Sequence, residues 1–162
     1  MSDTPLTTTS YGNGCLTVTR QFDAPRPAVF DAWIKTSKVE LWWGCDYATK
    51  VKSEIEPKVG GKYSHLMTLR DVGEYHHCGL ITAYDPPALL MYELADPFRN
   101  ETMTVRVEFS ENESGTLVKL IQDNTADEHS EFVIEGWTAG FEKLATLFKN
   151  ELALTYADQE AT

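Results

Sequence analysis

Seven strand-length runs followed by one long helical stripe constrain the fold of this 162-residue chain more than any other feature. Within each run, apolar and polar residues tend to alternate with the period of two that is typical of a half-buried β-strand. Short segments rich in Gly, Pro and Asp separate most of the runs, so consecutive strands should pair antiparallel. The runs cover residues 16–22, 51–57, 62–70, 75–84, 89–94, 102–109 and 116–122.

Two short helices are expected between the first and second runs. Pro25 and Pro27 suit the start of a helix, where a missing N–H costs nothing. Ser37 and Glu40 have the spacing of a capping box, which predicts a second helix of about two turns. Trp42 and the adjacent Trp43 would point about 100° apart on that helix, so only one of them is expected in the core.

The chain ends in an amphipathic helix, expected from about residue 130 to residue 156. Trp137, Phe141, Leu144 and Phe148 recur at steps of three or four and form the apolar stripe of a helix packed on the sheet. The elements together predict an α+β fold, with a seven-stranded antiparallel sheet that has one face covered mostly by the long helix. A cavity is expected where the short helices meet the sheet, because one helix cannot cover the whole sheet face.

The expected domain boundaries follow the distribution of apolar residues. Residues 1–13 are rich in Thr, Ser and Gly, which predicts a disordered amino-terminal tail. Residues 14–157 should form a single domain, and residues 158–162 a carboxy-terminal tail. A hydrophobic fraction of 42% is ordinary for a globular domain of this length.

Charge and cysteine usage exclude several classes of function. The formal net charge of −11 would repel phosphate backbones, so nucleic acid is not an expected partner. No run approaches the ~18 apolar residues of a membrane span, and the first residues lack the pattern of a signal peptide, so we expect no membrane insertion and a cytoplasmic location. Cys15, Cys45 and Cys78 lie far apart and predict neither a disulfide framework nor a zinc site.

Several sequence segments occur in an order that resembles a known family. They are APRPAVFDAW, ELWWG, VGGKY, GLITAYDPPALLMYE, TVRVEFSE with GTLVKL, and EGWTAGFEKLATLF. Together they resemble the Hsp90 ATPase activator homologue family of the START-like (SRPBCC) superfamily, over about residues 16–152. The resemblance implies a helix-grip fold, in which the sheet wraps around the long carboxy-terminal helix. Such a fold encloses a hydrophobic cavity for lipids, sterols, polyketides or other small molecules. The sequence departs from the family pattern at Ala83 and Glu93.

The histidines are the polar residues that strand alternation brings closest to such a cavity. Tyr63, His65 and Met67 share one strand face, which the resemblance places inward. His76 and His77 are adjacent on the next strand, so only one of them can join His65. A two-residue turn at residues 72–73 selects His76, whereas a register shift of one residue selects His77. The family pattern favours His77.

Glu93 could be an inward carboxylate with a raised pKa, or it could face solvent. A metal site would need His65, one of His76 and His77, Cys78 and Glu93 to meet on one face, and no metal site is expected. The candidate ligand-binding residues are Trp43, Tyr63, His65, Met67, His77, Ile81, Glu93, Trp137 and Phe141.

Binding of a small hydrophobic or amphipathic molecule in this cavity is the function that the sequence favours. One alternative is an enzyme of the cyclase or hydrolase type that uses His65 or Glu93 to move a proton. No nucleophile or nucleotide motif is present, so the catalytic residues stay unknown and no cofactor is expected. A second alternative, implied by the resemblance, is a chaperone-associated interaction module. Because the chain is expected to form only one domain, a chaperone partner is less favoured. Whether the chain forms a homodimer is left open by the sequence.

Overall fold

Eight strands form one sheet in the described part of the chain. The computed structural model describes residues 7–46, 48–96 and 99–160, with side chains described as far as residue 151. The strands are β1 Thr7–Gly12, β2 Cys15–Phe22, β3 Ala48–Ile55, β4 Lys62–Leu69, β5 Gly73–Asp85, β6 Leu89–Ala95, β7 Thr102–Asn112 and β8 Gly115–Gln122. The helices are α1 Arg26–Ile34, α2 Thr36–Trp42 and α3 Ser130–Glu160, the last preceded by a 3₁₀ turn at Asp127–His129.

The sheet is antiparallel throughout, with the strand order β1-β2-β8-β7-β6-β5-β4-β3. The pairing of β2 with β8 joins the start of the chain to its last strand. The sheet is open, with β1 and β3 at its edges, and α3 lies against one face. This α+β arrangement is consistent with the helix-grip fold predicted from the sequence. Over the described residues, no helix is both long and apolar enough to cross a membrane.

The prediction of an amino-terminal tail is wrong for residues 7–12, which form the edge strand β1 and raise the number of strands from seven to eight. Asn13 and Gly14 connect β1 to β2 in a tight turn, with φ of 53° and 76°. Tyr11 anchors the strand because its hydroxyl donates to the Thr125 carbonyl oxygen at 2.7 Å. Residues 1–6 lie outside the described part. At the other end, α3 continues to Glu160, past its predicted end and into the predicted tail.

The connection between α2 and β3 differs from its prediction. No side chain caps α2, and the Glu40 carboxylate accepts a hydrogen bond from the Ser53 backbone N–H at 2.9 Å, which ties the helix to β3. The helix ends at Trp42, and Trp43 is extended, with φ −66° and ψ 141°. Helical geometry therefore does not separate the two indoles, and both are buried, contrary to the prediction for this pair.

The apolar stripe of α3 packs on the sheet as predicted, with Trp137, Phe141, Leu144 and Phe148 all buried. Phe22 of β2 contacts two of these rings edge-on, at 5.9 Å from Phe141 and 6.0 Å from Phe148. This packing fills the space under the middle of α3. The less filled region lies under its first turns, where Gly136 faces the sheet.

Candidate functional site

Three aromatic side chains meet on the inner face of the sheet, near the first turns of α3. His65 of β4 and His77 of β5 are direct partners across the ladder, and their ring centroids are 5.6 Å apart. The Trp43 indole stacks on His65 at 4.3 Å and contacts His77 edge-on at 4.7 Å. All three side chains are buried. We call them the Trp-His-His cluster.

Each imidazole of the Trp-His-His cluster has one hydrogen-bond partner. Ser53 Oγ lies 2.7 Å from His65 Nδ1, and the Tyr92 hydroxyl lies 3.2 Å from His77 Nε2. Among the described residues, no hydrogen bond is made by His65 Nε2, Trp43 Nε1 or His77 Nδ1, and the first two are fully enclosed. Most buried polar atoms in proteins do have partners, so two enclosed nitrogens without one in a single cluster are unusual.

Burial keeps the whole cluster uncharged at neutral pH. Desolvation lowers the pKa of His77 to about 3. Desolvation, with a smaller effect of neighbouring His77, lowers the pKa of His65 well below its usual value. Burial likewise raises the pKa of the nearby Tyr63 and Tyr92 hydroxyls. The site therefore presents neutral polar groups rather than ions.

A cavity of about 70 Å³ lies beside the Trp-His-His cluster, between the sheet and the first turns of α3. Two glycines lie in its wall. A Cβ on Gly136 would meet no atom within 4 Å, and a Cβ on Gly44, where φ is +102°, would lie 2.7 Å from Met67 Sδ. The cavity is lined by Trp43, Gly44, Cys45, Met67, Tyr75, His77, Leu94, Met103, Gln122, Phe132, Val133, Gly136 and Trp137.

The wall of the cavity contains both a hydrogen-bonded polar group and an aromatic pair. Gln122 accepts a hydrogen bond from Trp137 Nε1 at 2.8 Å and donates to Thr125 Oγ1 at 3.3 Å. Phe132 of α3 contacts Tyr75 of β5 edge-on at 6.2 Å. Phe132 is 43% exposed although it also lines the cavity. This aromatic pair therefore lies between the cavity and solvent.

The family model described as "Activator of Hsp90 ATPase homolog 1-like protein" matches residues 23–149, which is most of the chain. The chain belongs to this family. No curated protein matches the sequence.

Solved structures share the fold of this Hsp90 ATPase activator homologue family member. Protein Ms6760 from Mycobacterium smegmatis is 23% identical, with a TM-score of 0.74 and coverage of 88% of this chain and 96% of that one. Protein CV1439 from Chromobacterium violaceum is 19% identical, with a TM-score of 0.77 and coverage of 85% and 98%. CalU16 from Micromonospora echinospora is 18% identical, with a TM-score of 0.64 and coverage of 91% and 86%. At sequence identities below 25%, this structural similarity shows a shared fold alone.

Eight of the nine candidate residues of this family member lie on the inner face or in the core. Four of them line the cavity: Trp43, Met67, His77 and Trp137. Another four are buried around it without lining it: Tyr63, His65, Ile81 and Phe141. Their burial fits the predicted inward placement, and their role in binding stays a prediction.

Glu93 is the exception among the candidate residues. It is exposed on the outer face of the sheet, opposite Leu80 in the β5–β6 ladder. Its neighbours Tyr92 and Leu94 point inward and are buried, so alternation forces the carboxylate outward. The hypothesis of an inward general acid at this position is therefore wrong.

The β4–β5 register places His77 inward and leaves His76 exposed. Leu69 pairs with Gly73, so the hairpin loop has three residues, 70–72, and not the two-residue turn that would have selected His76. Cys78 is also exposed, and the hypothetical metal ligands therefore do not share a face. Among the described residues, no group of three His, Cys, Asp or Glu side chains could hold a metal ion.

Sequence reasoning missed Ser53, Tyr92 and Gln122, which supply the hydrogen bonds around the cavity. The alternation of inward and outward residues along a strand could have pointed to two of them, Tyr92 and Gln122. Tyr92 is in phase with the buried Leu94, and Gln122 is in phase with the buried Leu120. A polar residue in the inward phase of a strand indicates a buried hydrogen bond.

Proposed function

We propose that the chain binds a small hydrophobic or amphipathic molecule in the cavity between the sheet and the first turns of α3. Gly136 is the observation that carries this proposal. Glycine inside a helix costs about 1 kcal/mol relative to alanine, and here the structure has room for a Cβ. A residue that keeps a cavity open at the expense of stability is typical of a binding site. The fold family also commonly binds ligands.

The volume of the cavity constrains how a ligand would enter. A cavity of about 70 Å³ has room for about two water molecules, well below the ~300 Å³ of a typical ligand site. A ligand with a ring must therefore displace part of the wall. Phe132 is the side chain best placed to move, because it is partly exposed and contacts Tyr75 only edge-on. Entry past Phe132 is part of the proposal.

Binding is better supported than catalysis. A general base works best when its pKa lies near the operating pH, and the pKa of His77 at about 3 makes it a weak base at neutral pH. The pKa of His65 is also lowered by burial. Glu93, the other candidate for proton transfer, lies on the opposite face of the sheet. A cytoplasmic location and a homodimer stay predictions from the sequence.

Native mass spectrometry of freshly purified protein, followed by organic extraction, would detect a carried ligand. A thermal-shift screen with lipids, aromatic polyketides and phenolics would identify one, because a ligand that binds only the folded state raises Tm. Gly136→Leu should fill the cavity and abolish the shift. Glu135→Leu adds the same side chain at an exposed position of α3 and should leave the shift intact.

The outcomes separate the possibilities. A shift that survives Gly136→Leu would place the ligand elsewhere on the molecule. Absence of both a carried species and any shift would contradict the proposed function.

A further inference from the structure

We infer that the cavity is specific for an uncharged ligand that carries a hydroxyl group, and that His77 Nδ1 binds this group. The inference rests on the proposed function, because it names the ligand class of the same cavity.

The position of the His77 ring supports this assignment. The ring lines the cavity, and its Nε2 is held by the Tyr92 hydroxyl at 3.2 Å. Trp43 packs against it at 4.7 Å and Trp137 at 6.2 Å, both edge-on. The ring is therefore fixed in place, and no described residue makes a hydrogen bond to Nδ1. A ligand in the cavity can supply that missing bond.

A hydroxyl suits His77 better than other polar groups do. A neutral imidazole has one N–H donor and one acceptor, and the Tyr92 hydroxyl can serve either role toward Nε2. Nδ1 is consequently either a donor or an acceptor. A carbonyl oxygen can only accept and an ammonium group can only donate, whereas a hydroxyl can do both. Of these three groups, the hydroxyl is the one that fits His77 in both of its neutral forms.

The lining of the cavity disfavours an ionised ligand. None of the described lining residues is Asp, Glu, Lys or Arg, so a buried charge would find no counter-charge. The net charge of −11 would also repel an anion as it approaches. Besides His77, four aromatic residues line the cavity, Trp43, Tyr75, Phe132 and Trp137, and they favour a planar ring. Phenol is the simplest probe that combines a ring, a hydroxyl and neutrality at pH 7.

Calorimetric titration of the full chain with phenol, toluene and benzoate at pH 7 tests the inference. Phenol should bind at least about tenfold more tightly than toluene, because toluene leaves Nδ1 without a partner. Benzoate should bind more weakly than either. His77→Phe should remove the preference for phenol, so that phenol and toluene bind to this variant within about threefold of each other. His76→Phe, one residue away on the exposed face, should change neither affinity.

Nitrogen-15 NMR of the unmodified chain gives a readout that does not depend on the folding of a variant. Phenol should shift the His77 Nδ1 signal, and toluene should leave it nearly unchanged. Equal affinities for phenol and toluene, or a preference that survives His77→Phe, would overturn the inference while the proposed function stands. Failure of all three probes to bind would contradict the proposed function itself.

Discussion

His77 lies directly opposite His65 across the β4–β5 ladder, with both imidazoles buried under α3 and their centroids 5.6 Å apart. Neither ring can be protonated in place without bringing an unpaired charge into the apolar interior. Two buried neutral histidines therefore make the fold sensitive to acid.

Acid should destabilise the fold at a higher pH than carboxylates alone would explain. The folded-state pKa of His77, about 3, is depressed below the unfolded value of about 6.5, so the unfolded chain binds more protons as the pH falls below 6.5. The free energy of unfolding should fall by about 2 kcal/mol for this histidine between pH 7 and pH 5, and the loss should end near pH 3. Urea unfolding at several pH values measures this loss in the free energy of unfolding.

Two variants test whether the loss of stability in acid comes from the buried imidazole of His77. His77→Phe should remove about 2 kcal/mol of the difference between pH 7 and pH 5, because phenylalanine does not titrate. His76→Ala should leave the difference unchanged, since His76 is exposed. An equal pH dependence in both variants would show that His77 does not cause the effect.

Gly136→Ala and Gly140→Ala should have different effects, although the two positions are one turn apart on α3. A Cβ at 136 meets no atom within 4 Å, so the variant should gain about 1 kcal/mol of stability from helix propensity. A Cβ at 140 would lie 3.3 Å from the Trp42 carbonyl oxygen and 3.4 Å from its ring, which offsets that gain. Denaturant unfolding of the two variants compares their free energies of unfolding. Equal stabilisation of both variants would contradict the packing described here.

Ser53→Ala should cost about 1 to 3 kcal/mol of stability, because it leaves His65 Nδ1 buried without its 2.7 Å partner. Ser110 is exposed on β7, and Ser110→Ala should change stability by less than about 0.5 kcal/mol. Thermal or urea unfolding of the two variants measures the difference. A neutral Ser53→Ala would mean that this hydrogen bond does not hold His65.

A double-mutant cycle tests the ion pair that joins β2 to α3. Arg20 is buried, and its guanidinium meets the half-exposed Glu142 carboxylate with two N···O distances of 3.3 Å. Glu142→Gln should cost about 1 kcal/mol, less than for a fully buried pair, because solvent screens the carboxylate. The same change should cost less in an Arg20→Met background, with a coupling of about 1 kcal/mol. Simple additivity would show that the pair contributes nothing.

Alternation predicted β2 to β8 because apolar residues recur along one face of each of these strands, whereas β1 has almost no apolar residue. Its order comes from backbone pairing with β2 and from β-forming Thr and Tyr residues. The sequence did contain a signal for it, since Asn13-Gly14 is the dipeptide most typical of a two-residue hairpin turn. An amphipathic pattern alone therefore underestimates edge strands.

The site was less predictable than the fold because it depends on loop geometry and side-chain packing. Asp71 adopts a φ of 60° in the three-residue hairpin loop, and that loop selects His77 over His76. No periodicity in the strands distinguishes the two registers by itself. Trp43 is likewise placed by local backbone geometry: it lies in the core because α2 ends one residue before it. The cavity volume depends on how closely Met67 approaches Gly44, which sequence spacing does not determine.

An NMR titration with toluene and phenol that follows the indole N–H signals of the four tryptophans tests the ligand site most directly. Trp43 and Trp137 line the cavity, whereas Trp33 and Trp42 lie outside its lining. A bound ring should shift the Trp43 and Trp137 signals most, and Gly136→Leu should abolish these shifts. Unchanged indole signals with either probe, or shifts that persist in Gly136→Leu, would contradict a binding site between the sheet and α3.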